Sequence, residues 1–236
     1  MQGKNSRRRR RYAAPIGGVY LLLVIIGVIA VVVSSVNLTF RALDNTSTRQ
    51  ELEHFLLPLV MFDPAPFEHP SDISNANLLL YSTWSALTSD RRMSYTYETF
   101  EFGIQLRIPA SDLNVAADRL FGPEVVLEHQ TFDDFTTTYY FDEATQTYNI
   151  PVTTELFDIY TPSVESIERV SGDIYHVRVG YIPPAGAWSI DFSGTLGQPD
   201  PEKHMIFVVR RLRGGGYNIL ALRDYDGNVS FPIVSG

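Results

Sequence analysis

The hydrophobic positions change rhythm twice along the chain. From Ala13 to Phe40 there is no Asp, Glu, Lys, Arg or His, and Ile16 to Val33 is almost wholly Val, Ile, Leu, Ala and Gly. Eighteen helical residues reach about 27 Å, near the thickness of a bilayer's hydrocarbon core. The run predicts a transmembrane helix over residues 16–38, its backbone polar groups satisfied internally.

Beyond it the pattern becomes amphipathic. Leu52, Phe55, Leu56, Leu59 and Val60 recur at the spacing of one helical face. Thr48 with Glu51 is a capping-box pair at its start, and Pro58 is expected to kink or end the helix. The stretch DPAPFEHP, with three prolines, reads as an extended connection. A second helix is expected from Ser71 or Asp72, with Ile73, Ala76, Leu80, Trp84 and Leu87 on its apolar side. A third lies in IPASDLNVAADRLFGP, opened by Pro109 and Ser111, striped by Leu113, Ala116, Ala117, Leu120 and Phe121, and ended at Gly122-Pro123. Between these two, MSYTYETFEFGIQLRI reads as extended.

From Thr131 the period is two. One hairpin is expected across Asp142 to Gln146, a second turning at Ser171-Gly172-Asp173, and a third around Gly214 to Gly216. The second return strand places Tyr175, Val177, Val179 and Tyr181 on one face, and Ile174, His176 and Arg178 on the other. Helices followed by an antiparallel meander predict an α+β fold, about three helices packed on a curved sheet of hairpins. The order of elements from Ser71 to Asp226 resembles the nuclear transport factor 2-like and cystatin-like folds, which implies a bent sheet wrapped around helices. Those folds host enzymes, binding modules and assembly pieces alike. The organisation expected is a basic tail over 1–15, an anchor over 16–38, a juxtamembrane helix and linker over 39–70, and an extracytoplasmic domain over 71–236.

Charge gives the anchor a direction. Arg7, Arg8, Arg9, Arg10 and Arg11 flank the apolar run and predict a cytoplasmic N-terminus by the positive-inside rule. The same side chains suit anionic headgroups, so membrane lipid is the expected partner of residues 7–36. A cleavable export signal is the rival reading, but its apolar region runs roughly 7–15 residues before a small-x-small site. Here the run is longer, and Ser34 and Ser35 follow three valines. Six of the 19 Lys and Arg precede Tyr12 and all 27 Asp and Glu follow Ala42, so the remainder carries 13 − 27 = −14. That balance disfavours nucleic acid as a partner, since such binding rests on cationic contacts. With no cysteine, disulfides, thiolate metal sites and cysteine nucleophiles are excluded. A short basic tail, one span and a cysteine-free outer domain resemble single-pass envelope proteins of Gram-positive bacteria.

Candidate chemistry is sparse. There is no Walker A loop, G-x-S-x-G, H-E-x-x-H or paired-cysteine zinc pattern. His54, His69, His129, His176 and His204 lie far apart in sequence, at no metal-ligand spacing. Asp133-Asp134 is the densest carboxylate pair, with Asp142-Glu143 at a hairpin tip. As strand neighbours the first two are expected on opposite faces, unsuited to glycoside hydrolysis. Asp224, Asp226 and Asn228 alternate as in a calcium loop, but Val229 and Ser235 stand where an EF-hand needs Gly and Glu. Trp188, in a Pro- and Gly-rich loop, and Tyr139 and Tyr140 are candidate contact residues. The Asp191 to Glu202 region and the sheet's open face are the expected contact surface. The expectation is a membrane-anchored extracytoplasmic binding protein without catalytic residues, metal or cofactor, meeting a protein or envelope partner. The alternative is an envelope hydrolase or a small-ligand domain with a pocket in the curved sheet.

Overall fold

The computed structural model describes residues 46–100, 103–134, 136–152, 159–184, 189–190, 196–197 and 199–227. The predicted anchor, its flanking arginines, Trp188 and Asn228 lie outside the described residues. Among those described, no helix is long and apolar enough to cross a membrane. The chain divides into two units, Met1–Arg49 and Gln50–Gly236, and both sheets lie in the second.

Helix α1 (46–60) runs through Pro58 and ends two residues later. Its predicted stripe is the buried one: Leu52, Leu56, Leu59 and Val60 are sealed from solvent, with Phe55 packed beside them. The helix therefore belongs to the core of the domain rather than to a linker before it. Phe67 also joins that core by pairing with Leu222 through two backbone hydrogen bonds of 2.9 and 2.8 Å.

Helix α2 (Asn75–Thr88) begins later than expected. Asp72 instead turns back to accept from the His69 N–H at 2.9 Å, closing a separate 3-10 turn over Pro70–Asp72. The cap of α2 is Ser74, whose hydroxyl accepts from the Asn77 N–H. The expected stripe of α2 is only part of its buried surface. Leu80 is buried and Ile73, Ala76, Trp84 and Leu87 are half-buried against the core, but Leu79, Ser82, Thr83 and Ala86, outside that stripe, are buried too. With apolar residues around most of its circumference, α2 has no single face that periodicity can select. Helix α3 (Ala110–Phe121) follows prediction, from Pro109 at its N-cap to Gly122, which closes it at φ 91°.

The strands form two antiparallel sheets where one curved sheet is expected. The larger is β1 (Thr96–Phe100), β2 (Gly103–Pro109), β5 (Thr147–Pro151), β4 (Thr138–Asp142) and β3 (Phe132–Asp133), in that spatial order. The other is β11 (Tyr217–Asp224), β10 (Lys203–Arg211), β7 (Ile174–Ile182) and β6 (Thr161–Ser171). A short pair, β8 (Ser189–Ile190) with β9 (Leu196–Gly197), stands apart from both. All three predicted hairpins are present, as β4–β5, β6–β7 and β10–β11.

Three register shifts adjust the second sheet. Between β10 and β11 the register shifts after Val208, leaving Leu220 without an opposite partner. The shift puts Ile219 and Leu222, three apart, on the same core-facing side. In β6 one shift falls at Glu165 and another at Val170. Beside the first the Val164 N–H donates to Glu53 Oε1 of α1 at 2.9 Å, which fastens helix to strand. The core between these layers is filled by large side chains, among them Tyr148, Tyr181, Phe207, Leu113 and Leu120.

Candidate functional site

Three chain segments converge on a surface cleft of about 380 Å³. The first is the stretch leaving α1. There the helix unwinds through 61–62 and Asp63 stands in the left-handed region at φ 48°, a conformation that Asp tolerates better than most residues. Phe62 and Pro64 flank it in the cleft wall.

The second segment is one stripe of α2. Asn77, Leu80 and Tyr81 line the cleft at the three-and-four spacing of a helical face. One turn on, Trp84 packs against Phe62 with ring centroids 5.8 Å apart. Tyr81 lies 6.4 Å from the same ring. Burial, followed by the negative charge of Asp63, pushes the Tyr81 hydroxyl up to about 12, so it is a neutral hydrogen-bonding group at physiological pH.

The third segment joins β3 to β4 and supplies Asp133 and Asp134. The two line the same cleft, against the expectation of opposite faces. Strand alternation does not reach Asp134, because β3 ends at Asp133. Asp134 Oδ1 accepts from the N–H groups of Thr136 and Thr137 at 2.8 and 2.6 Å, an Asx turn. Its Oδ2 accepts from the Tyr139 hydroxyl at 2.7 Å, and that hydroxyl accepts from Trp84 Nε1 at 3.0 Å. A relay from α2 through Tyr139 thus holds the acidic loop. Asp133 uses Oδ1 to accept from Thr138 Oγ1.

Outside the cleft lining, Lys203 pairs with Asp63 and lies 4.8 Å from the centre of the Tyr181 ring. Tyr181 is wholly buried, and its hydroxyl has no hydrogen-bond partner among the described residues. Burial raises its pKa first, with the charges of Asp63 and Tyr81 adding to the effect. Tyr160 packs edge-on to Tyr181 and donates to Glu202 Oε2 at 2.8 Å.

Of the candidate contact residues, Tyr140 is half exposed, but Tyr139 is buried and stacks on Phe132 at 4.6 Å. Tyr139 is therefore a support of the cleft and not a surface contact. Asp142 caps its hairpin tip, held below the ordinary carboxylate value by the Thr145 hydroxyl and the Ala144 N–H. The histidines remain apart, and no group of three His, Asp or Glu converges as a metal site among the described residues.

A second polar cluster lies across the other sheet. Glu165, re-aimed by its bulge, sits 2.9 Å from Arg178 Nε and 2.8 Å from His204 Nε2. Arg178 also donates to the Tyr225 hydroxyl at 3.2 Å. These charges pair with one another, so the cluster reads as a brace on the sheet. The cleft is hard to see in the sequence because Asp63, Tyr81 and Asp133 belong to no common motif. The one available signal is the density of carboxylates at Asp133-Asp134.

Compared with protein families, with characterised proteins and with solved structures, the chain matches none.

Proposed function

We propose that this chain is a single-pass membrane protein with its N-terminus inside and its α+β domain outside, and that the domain binds a partner through the cleft. The uncharged run from Ala13 to Phe40 behind five arginines supports the anchor and its direction.

The observation that favours binding over catalysis is the engagement of Asp134. A glycoside hydrolase needs one carboxyl to deliver a proton and a second to attack or to activate water. Asp134 has both oxygens committed to the chain's own donors, two N–H groups and the Tyr139 hydroxyl. Among the described residues, no Ser or His lines the cleft to supply a nucleophile or base. A concave wall of apolar side chains with a few convergent polar groups is the form of a recognition site.

The test has two parts. Carbonate extraction of membranes should leave the full chain in the pellet, with external protease removing the outer domain. A mature N-terminus mapping near Ser35 or Val36 would sink the anchor. A photo-cross-linker placed at Asn77 in intact cells should capture a partner that one placed at Tyr140 does not. Capture from Tyr140 alone would move the contact surface away from the cleft.

A further inference from the structure

We infer that two hairpin tips, at the end of the outer domain where the chain enters it, rest on the anionic headgroups of the membrane that anchors the protein. The inference rests on the reading of the chain as a single-pass membrane protein, and it names the partner of a surface at the other end of α1 from the cleft.

The first observation is where the tips lie. Tyr217, which opens β11, packs against Phe55 of α1 with ring centroids 6.0 Å apart, and the charge of Glu51, one turn nearer the helix start, also reaches it. Lys203, which opens β10, instead pairs with Asp63 beyond the helix's end. The β10–β11 turn is therefore at the end of the sheet where α1 enters. The β6–β7 turn stands beside it, since Ile174 pairs with Arg210 and the Arg211 N–H donates to the Asp173 carbonyl at 2.8 Å. Between the predicted span and Gln50 lie residues 39–45 and one turn of α1, a reach of about 30 Å. The tips are thus at the tethered end of the domain.

The second is charge. The tips, 169–174 and 210–217, carry Arg169, Arg210, Arg211 and Arg213 against Asp173, 4 − 1 = +3, while the rest of Gln50–Gly236 carries 7 − 25 = −18. Arg119 joins them, because Asn218, opposite Arg210, donates to its carbonyl. All five arginines are exposed. Among the described residues none of the five forms an ion pair, and the carboxylates of the same end, Glu51, Asp118 and Glu168, leave them so. Elsewhere in this unit Arg91, Arg107, Arg178, Lys203 and Arg223 are all paired, and Arg92 alone is not. The net negative charge of the outer part therefore conceals a polarity. Most of the domain is repelled by an anionic surface and this end is drawn to it, which orients the domain on its tether.

The third is what stands at the tips. Val170 and Leu212 are 38% and 37% exposed. The residues beside them, Ser171-Gly172 and Gly214-Gly215-Gly216, add almost no bulk that would hold them off a flat surface. One apolar side chain on each hairpin, flanked by arginines, suits the headgroup layer, with cations among phosphates and apolar atoms toward the acyl boundary. A nucleic acid offers phosphates as well, but only a bilayer is held within reach by the chain itself.

The experiment uses the full chain reconstituted in vesicles of phosphatidylcholine alone, or of phosphatidylcholine and phosphatidylglycerol in equal parts. The chain has no cysteine, so Leu212→Cys carries a single fluorophore, which nitroxide-labelled lipid quenches on contact. His69→Cys is the control, beside the Glu68–Arg223 pair at the far end of β11. Quenching at Leu212 in the anionic vesicles, with little in phosphatidylcholine and none at His69, is the expected result. It should vanish in about 1 M salt, where the Debye length shrinks to about 3 Å. Arg210→Gln combined with Arg213→Gln should lower the docking constant about twentyfold, since each cation near an anionic surface contributes about fivefold. The thermal midpoint should stay put, because both side chains are exposed and unpaired among the described residues. Equal quenching in the two lipids or at the two positions, persistence in salt, or wild-type quenching in the double variant overturns the inference. Disulfide cross-linking between copies through Leu212→Cys, in place of quenching, would assign this end to a neighbouring copy and overturn it too. A chain that stays in the carbonate pellet without quenching at Leu212 removes this inference and leaves the anchor standing. A chain released by carbonate, yet still quenched at Leu212 on the anionic vesicles, does the opposite.

Discussion

The indole of Trp84 donates to the hydroxyl of Tyr139 at 3.0 Å, across 55 residues of sequence. The same hydroxyl donates in turn to Asp134, so one phenol joins α2 to the loop that carries the acidic wall of the cleft. Tyr139→Phe keeps the ring and its stack on Phe132 but leaves a donor and an acceptor unpaired. A loss of roughly 1–3 kcal/mol in unfolding free energy is expected, measured by urea denaturation.

Asn218 fixes the end of α3. Its Nδ2 donates to the carbonyls of Asp118 and Arg119, at 3.1 Å each, in the last turn, where carbonyls run short of helical N–H partners. Asn218→Ala should destabilise the domain by about 1–2 kcal/mol, and hydrogen exchange should rise first in the last turn of α3. Unchanged exchange there would count against the cap.

Gly180 in β7 lies under Pro201. A Cβ at this position would stand 2.6 Å from Pro201 Cγ, too close for any side chain without movement of the strand or the proline. Gly180→Ala is expected to cost about 1–3 kcal/mol, the range of overpacked sites. Pairing it with Pro201→Ala should recover part of the loss, as a double-mutant cycle would show.

Two imidazoles make stability depend on pH. Burial holds His129 below the ordinary value, and burial, then the charge of Arg223, does the same to His176. A depressed folded value means that the folded state binds fewer protons than the unfolded chain, so stability rises with pH across the window between the two. The contribution is complete above about pH 6.5, the ordinary imidazole value, and is lost as pH falls through the depressed folded values. The urea midpoint should be flat from neutral to mildly alkaline pH and fall in mild acid. Replacing both residues with Gln should flatten the acid limb, and an unchanged limb would assign it to other groups.

How far the fold can be read from the chain depends on the kind of information each element carries. The hairpin turns at Gly172 and at Gly214–Gly216 are legible because positive φ and short polar loops are local demands; Gly172 has φ 54° and Gly215 φ 94°. The stripes of α1 and α3 are legible because each is apolar on one side only. The face of α2 is not, since apolar residues surround it. The register of β11 is not either, because the bulge at Leu220 breaks a period that reads as unbroken in YNILALRD.

Periodicity, composition and charge were enough for the α+β class, the three hairpins, the stripes of α1 and α3, and the case for an anchored chain with a basic inner tail. These signals act within a few residues of one another, so the bare amino-acid order carries them. Folding had to decide that the strands separate into two sheets, that α1 belongs to the core, and that Tyr139 is a support. It also brought Asp63, Tyr81 and Asp133 to one cleft. Each of these depends on which apolar surfaces meet, and close packing between distant segments settles that choice. The buried hydroxyl of Tyr181, unpartnered among the described residues, is the plainest case, for a tyrosine in sequence carries no sign of whether its oxygen will find a partner.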